Sequence, residues 1–282
     1  MKIAVTGATG FVGRHVVAAL ARRQDVDVVA ASRSPVSADA ALPSVRWVQL
    51  DIATPSTDDF ALLGRPDVLL HLAWSGLPNY RSLHHFESEL PVQYRFLAGL
   101  VRAGLPAMVC TGTCFEYGMQ SGPLDEALEP APANPYGFAK DTLRRQLAFL
   151  RDESAFGLTW ARLFYLYGDG QSPRSLYAQL HAAASRGERT FKMSAGEQLR
   201  DYLPVTQVAE TLVQLALTAP DSGVVNVCSG QPVSVRALVE RWILESGWTI
   251  QPELGCHPYP DYEPMAFWGR NDRLRSVLEP AR

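Results

Sequence analysis

The sequence predicts an α/β fold, a doubly wound parallel sheet with a smaller C-terminal lobe. Three observations carry that expectation. Short apolar runs alternate with helical patterns as far as about Tyr167. Several runs are apolar on consecutive residues, as in strands covered on both faces of a parallel sheet. The first run also opens straight into a glycine-rich turn and then an apolar stripe at i, i+4, the start of a right-handed βαβ unit.

Taken in order, Ile3–Val5 is the first strand, and Thr6-Gly7-Ala8-Thr9-Gly10-Phe11-Val12-Gly13 is the turn. Val12, Val16 and Leu20 then mark one face of a helix. Val26–Ala31, Trp47–Leu50, Val68–Ala73, Met108–Thr111 and Thr159–Tyr165 read as further strands. Asn134-Pro135 opens a second helix, carrying Leu143 and Leu147, with a capping side chain followed by proline in the first turn. Beyond Tyr167 the alternation weakens: Gly168–Pro173 is a loop, Pro252–Pro264 is proline-rich and irregular, and Val224–Cys228 returns to the main sheet. The expected division is residues 1–166, with 202–230 returning to them, and 167–282 as mainly a second lobe.

Composition narrows the function. The 282 residues are 47% hydrophobic and 20% charged, an ordinary globular balance. A net charge of −3 and the lack of a basic run leave no expectation of a nucleic-acid partner. The apolar start Ile3–Val5 is too short for a signal peptide, and no stretch reaches the roughly 18–20 apolar residues of a membrane span. Cys110, Cys114, Cys228 and Cys256 lack zinc or redox spacing, so reduced thiols, a cytoplasmic setting and no metal site are expected.

The chemistry begins at the turn. Glycines after a first strand let the backbone approach a pyrophosphate, which sits on the free amides of the helix N-terminus in the Rossmann arrangement. Gly7, Thr9, Gly10, Phe11, Val12 and Gly13 are therefore candidate dinucleotide-binding residues. At the end of the second strand an NAD site places an acid on the ribose hydroxyls. Here Ser32-Arg33 stands instead, leaving room for a 2′-phosphate and a guanidinium to pair with it. NADP(H) is thus preferred over NAD(H), although an arginine at a strand end can be merely solvated. Asp51-Ile52, closing the third strand, either holds the adenine or forms a turn.

Tyr136 and Lys140 are four apart on a predicted helix and share a face. The chain has three lysines among 26 basic residues, so lysine here answers a need for a compact ammonium. An ammonium beside a phenol favours phenolate and lowers the phenol pKa toward the range of a working acid/base. Ten tyrosines and three lysines in 282 residues give about one accidental Tyr-x-x-x-Lys in ten such chains, so the pair needs its context.

That context resembles the extended short-chain dehydrogenase/reductases, also called the NAD(P)-dependent epimerase/dehydratase family. Thr6–Gly13 is similar to the family's TGxxGxxG loop, His71-Leu72-Ala73 to its fourth-strand motif, Tyr136/Lys140 to YxxxK and Arg200-Asp201-Tyr202 to its RDY segment. The resemblance spans nearly the whole length. It implies that Thr113, with Thr111 as the alternative, hydrogen-bonds the reacting oxygen. It places Leu72 and Ala73 beside the cofactor, and has Lys140 bind the nicotinamide ribose. Arg200 is implied to bind the diphosphate of a nucleotide-activated sugar, against the alternative of a structural pairing with Asp201. A homodimer is implied as well.

Trp74, Leu77, Asn79 and Tyr80 follow the carboxyl end of the fourth strand, where α/β proteins place ligands, and are substrate-pocket candidates. His84-His85 lacks convergent carboxylates and reads as loop rather than metal site.

Departures refine the reaction. Sugar dehydratases of this family follow the Ser/Thr with Asp-Glu, whereas Cys114-Phe115 stands here. Cys114 comes one residue after Thr113, not two as in the epimerase/reductases with a catalytic cysteine, and reads as core. Glu89 and Tyr165 stand where many members have Asn. The pattern is most similar to the dTDP-4-keto-6-deoxyhexose reductases, with NADPH as reductant. The competing expectations are a nucleotide-sugar 4-epimerase that retains NAD and, last, a dinucleotide-sensing protein without catalysis.

Overall fold

The computed structural model describes residues 1–37 and 42–279. Seven strands form the main sheet: β1 (Lys2–Thr6), β2 (Asp27–Ser32), β3 (Val45–Gln49), β4 (Val68–His71), β5 (Ala107–Thr113), β6 (Gly157–Leu163) and β7 (Gly223–Val227). Their order is β7-β6-β5-β4-β1-β2-β3, and every pair is parallel. The strands from Val224 and Thr159 do pair at one edge, with Val224 opposite Trp160. Between β1 and β4 the order reverses, which opens a crevice at the strands' carboxyl ends.

Helices cover both faces, as the continuous apolar strands require. The α-helices among the described residues are α1 (Phe11–Ala21), α2 (Asp59–Leu62), α3 (Leu90–Arg102), α4 (Pro135–Glu153), α5 (Leu176–Ser185), α6 (Val205–Thr218), α7 (Val235–Glu245) and α8 (Asp272–Leu278), of which α5 and α7 pack away from this sheet. One core layer packs Val16, Val17 and Leu20 of α1 and Leu212 of α6 against Ile3, Val5 and Leu70. The other packs Phe96 and Leu97 of α3 and Leu143 and Leu147 of α4 against Leu69, Met108 and Trp160. The start of α4 is as the sequence expects: Asn134 Oδ1 accepts the Gly137 amide at 2.8 Å, and Pro135 follows.

A separate cluster around Leu180, Phe191, Leu238, Val239 and Trp242 forms the core beneath α5 and α7. The proline-rich stretch differs from expectation at its start, since Gln251–Glu253 pairs in parallel with Thr190–Lys192. Pro252 is tolerated there because the pairing is only two strands wide and exposed at the edge. Cys110, Cys114, Cys228 and Cys256 are all free thiols. Among the described residues no helix is long and apolar enough to cross a membrane.

Candidate active site

The crevice at the carboxyl ends of β1, β4, β5 and β6 is a cleft of about 840 Å³. It gathers Gly7, Gly10, Phe11, Val12 and Gly13 from the turn and first helix, Trp74, Asn79 and Tyr80 from the loop after β4, and Thr113, Tyr136 and Lys140. Thr111 and Leu72 line it too. Residues expected to act together are thus brought together across more than a hundred positions of sequence.

The turn fits a dinucleotide pyrophosphate. Gly7 has φ +70°, and a Cβ there would lie 2.6 Å from Ala73 N. A Cβ on Gly13 would lie 2.0 Å from Gly7 O, so only glycine lets α1 start against the turn. Gly10 caps α1 without any side-chain hydrogen bond, which leaves the first amides of the helix free for an anion. Ser32, Arg33, Asp51 and Ile52 lie at the ends of β2 and β3, off this cleft. Ser32 Oγ donates to Ser34 O, and the exposed Arg33 guanidinium has no ion pair among the described residues. Asp51 behaves as a turn former, accepting the Ala53 amide at 3.0 Å. Thr9 is exposed beside the turn.

The catalytic cluster differs from expectation in its electrostatics. The Tyr136 phenol is pushed upward, not lowered, because burial strips water from a would-be phenolate. Tyr80, Glu116 and Cys114 push the same way, and only the Thr113 hydrogen bond opposes them. The Lys140 ammonium is 2% exposed, donates to Thr111 O at 2.9 Å and sits 6.0 Å from the centroid of the Tyr136 ring. Its pKa is lowered to about 8, chiefly by burial. As built, the site holds a neutral phenol ready to give a proton and an ammonium close to its neutral form.

Thr113 is held by neighbours that the sequence did not single out. Its amide donates to Glu116 Oε1 at 2.8 Å, and its hydroxyl accepts the Phe115 amide at 3.3 Å. Glu116 also accepts from Trp160 Nε1 at 2.9 Å and from Arg162 Nε at 2.7 Å, an ion pair with side chains 0% and 1% exposed. A second buried chain begins on β4. Gln93 Nε2 donates to Ala73 O at 3.0 Å and to Glu89 Oε1 at 2.7 Å, so its Oε1 is the acceptor for His71 Nε2 at 2.5 Å. His71 Nδ1 then accepts the Thr6 hydroxyl at 2.8 Å. Burial, followed by the Lys140 charge, lowers His71 to about 4. Glu89 is held below the usual carboxylate range, despite burial, by Ser75 and Gln93. The sequence marked His71 through the fourth-strand motif and Glu89 as a departure from the family's Asn, but nothing marked Gln93 or joined the three.

Arg200 does not make the structural pairing with Asp201 that the sequence offered. It is 3% exposed and does not line the cleft; its Nη2 pairs with Glu263 at 2.8 Å, and Glu263 does line the cleft. Asp201 instead accepts the amides of Ser229 at 2.7 Å and Gly230 at 2.9 Å. Cys114 is core, 5% exposed among Tyr117, Phe164 and Cys228, with its thiol pushed up by burial. His85 does not line the cleft: it is fully buried behind the wall, opening the helical turn His85–Glu89 rather than lying in a loop, and accepts from Trp74 Nε1 at 3.1 Å.

A family model described as the NAD dependent epimerase/dehydratase family matches residues 3–228. The chain belongs to that family. It is an NAD(P)-dependent oxidoreductase of the extended short-chain type. It is 31% identical, over 95% of its length and 99% of the relative's, to dTDP-6-deoxy-L-talose 4-dehydrogenase (NAD(+)) of Aggregatibacter actinomycetemcomitans. It is 28% identical, over 92% of its length and 83% of the relative's, to dTDP-6-deoxy-L-talose 4-dehydrogenase (NAD(P)(+)) of Kitasatospora kifunensis. UDP-glucose 4-epimerases also match, at lower identity than these two. Among solved structures, MoeE5 in complex with UDP-glucuronic acid and NAD superposes with a TM-score of 0.83 at 28% identity, covering 99% of this chain and 92% of that one.

Proposed function

We propose that the protein reduces the C4 keto group of a nucleotide-linked 4-keto-6-deoxy sugar with NADPH. The observation that carries this reading is the neighbourhood of Thr113. Tyr136 is held protonated beside it, and the next two positions are the buried Cys114 and Phe115 rather than a pair of acids. Such a site can deliver one proton to a developing alkoxide, and Cys114-Phe115 lacks the second acid/base pair that water loss requires.

The dinucleotide, when bound on the Gly7–Gly13 turn, supplies the hydride. Thr113 Oγ1 accepts from a backbone amide, which leaves its own proton to donate to the Tyr136 oxygen or to a substrate oxygen that takes its place. Tyr136 gives its proton to that oxygen. Lys140 keeps two N–H donors for the ribose hydroxyls and stabilises the phenolate left behind. Residues 167–282 form most of the substrate lobe in this reading, and Trp74, Asn79 and Tyr80 wall the sugar. Ser32 in place of an acid, with the exposed Arg33 beside it, supports NADPH. The names of the talose dehydrogenase relatives support the sugar class and the reacting carbon. We place the enzyme in the cytoplasm. We also propose a homodimer, with α4 in its interface, where Phe138 and Phe149 are 50% and 74% exposed.

The competing reading is a 4-epimerase that retains NAD, favoured by the UDP-sugar and NAD complex of MoeE5. One experiment separates them. The purified protein is mixed with NADPH or NADH and dTDP-, GDP-, CDP- and UDP-4-keto-6-deoxy sugars, and the reduced-nicotinamide absorbance is followed. Oxidation with one of the sugars is expected. No oxidation with any would overturn the reductase, and dinucleotide carried through purification would then favour the epimerase.

A further inference from the structure

We infer that Trp74 is a positioning residue for Lys140: its indole face caps the buried ammonium and holds it, charged, beside Tyr136. Nζ of Lys140 lies 4.0 Å from the centroid of the Trp74 ring, well inside cation–π range. Among the described residues its one protein acceptor is Thr111 O at 2.9 Å. The indole is itself fixed. Its Nε1 donates to His85 Nδ1 at 3.1 Å, and its ring stands edge-on to Tyr136 with centroids 5.9 Å apart. Accepting at Nδ1 makes His85 the Nε2–H tautomer, which donates to Asn79 O at 2.8 Å. The loop after β4 is thereby keyed to the lysine through one ring.

The physical need for such a cap is plain. Removing an ammonium from water disfavours its charge, and burial brings Lys140 down to about 8. Cys110 on β5, Glu116 after β5 and Glu89 ahead of α3 favour the charged form. Tyr136 on the same helix, His71 on β4 and His85 ahead of α3 also face it, and the Lys140 charge lowers both histidines. A desolvated π face adds a favourable contact that only the cation enjoys, strong enough to move the midpoint by about one unit. The ring does this without placing a second charge in the cleft.

The test uses the scarcity of lysine. Lys2, Lys140 and Lys192 are the only three, so competitive acetylation across pH, read by mass spectrometry, titrates Lys140 directly in the full-length protein. The exposed Lys192 serves as internal reference. Expected midpoints fall in the order native, Trp74→Phe, Trp74→Leu, with the leucine variant about one unit below native and Lys192 unmoved. The alkaline limb of kcat/KM should move down with Lys140. Equal midpoints across the series, or a higher midpoint in Trp74→Leu, would overturn the inference, because a ring that only shapes the pocket lowers activity without moving the lysine. If the leucine variant does not fold, Trp74→Phe must still titrate below native, and an unshifted midpoint there counts against the inference. Acetylation needs no sugar substrate, so its result stands apart from the keto-sugar assignment.

Discussion

Tyr136 shows how far a residue pair can be read before its surroundings are known. The spacing to Lys140 was legible because a helix puts i and i+4 on one face. The direction of the pKa shift was not, because it depends on water excluded by Trp74, Tyr80, His85 and Phe115, whose rings all lie within 6.3 Å of the Tyr136 ring, centroid to centroid. Replacing Tyr136 by Phe removes the proton and keeps the ring. We expect kcat to fall by about 10²–10⁴ with dinucleotide affinity retained, measured by steady-state turnover and fluorescence titration. At the other end of the cofactor, Arg33→Glu should reduce kcat/KM for NADPH on the order of 10- to 100-fold while sparing NADH. An equal loss with both would show that Arg33 is only a solvated strand end. Arg200 is the converse case: a motif marked it, but its partner, Glu263, is 63 positions away and was invisible in the local pattern.

Elements were read best where the signal is local. The start of α4 was visible as Asn134-Pro135 because a cap and its amide lie three residues apart. Asn134→Ala should destabilise the protein by about 1 kcal/mol, read by denaturant midpoint, with the larger effect on activity since α4 carries both Tyr136 and Lys140. The short 3-10 turn Cys114–Tyr117 was read only for Cys114, Phe115 and the threonine ahead of it. What fixes it is Glu116, which no periodicity marks, meeting Arg162 from the neighbouring strand in a dry site. Glu116→Leu leaves that guanidinium buried and unpaired, at a cost of about 3–5 kcal/mol. Glu116→Leu with Arg162→Leu should be much the milder variant in thermal unfolding, since no charge is then stranded. If the double variant is as unstable as the single, the ion pair is not what holds the turn.

At the scale of the whole molecule, the buried chain from Thr6 through His71 and Gln93 to Glu89 links the first strand to α3, and it makes stability depend on pH. His71 is lowered from 6.5 to about 4, so the unfolded chain takes up a proton that the native protein refuses. Its contribution is complete above about pH 6.5 and is lost as pH falls toward 4, on the order of 3 kcal/mol in all. Denaturant midpoints at pH 7 and pH 5 should differ in the native protein and converge in His71→Gln. The alternation of strands and helices, the glycine turn, the first helix and the Tyr-x-x-x-Lys face were all determined by the sequence alone, because each rests on contacts a few residues apart. Tertiary structure decided the rest: a phenol kept protonated, an ammonium capped by Trp74, an arginine taken by Glu263, and Glu116 turned inward. Those outcomes are set by water exclusion and by partners distant in sequence, and neither leaves a period or a spacing in the chain.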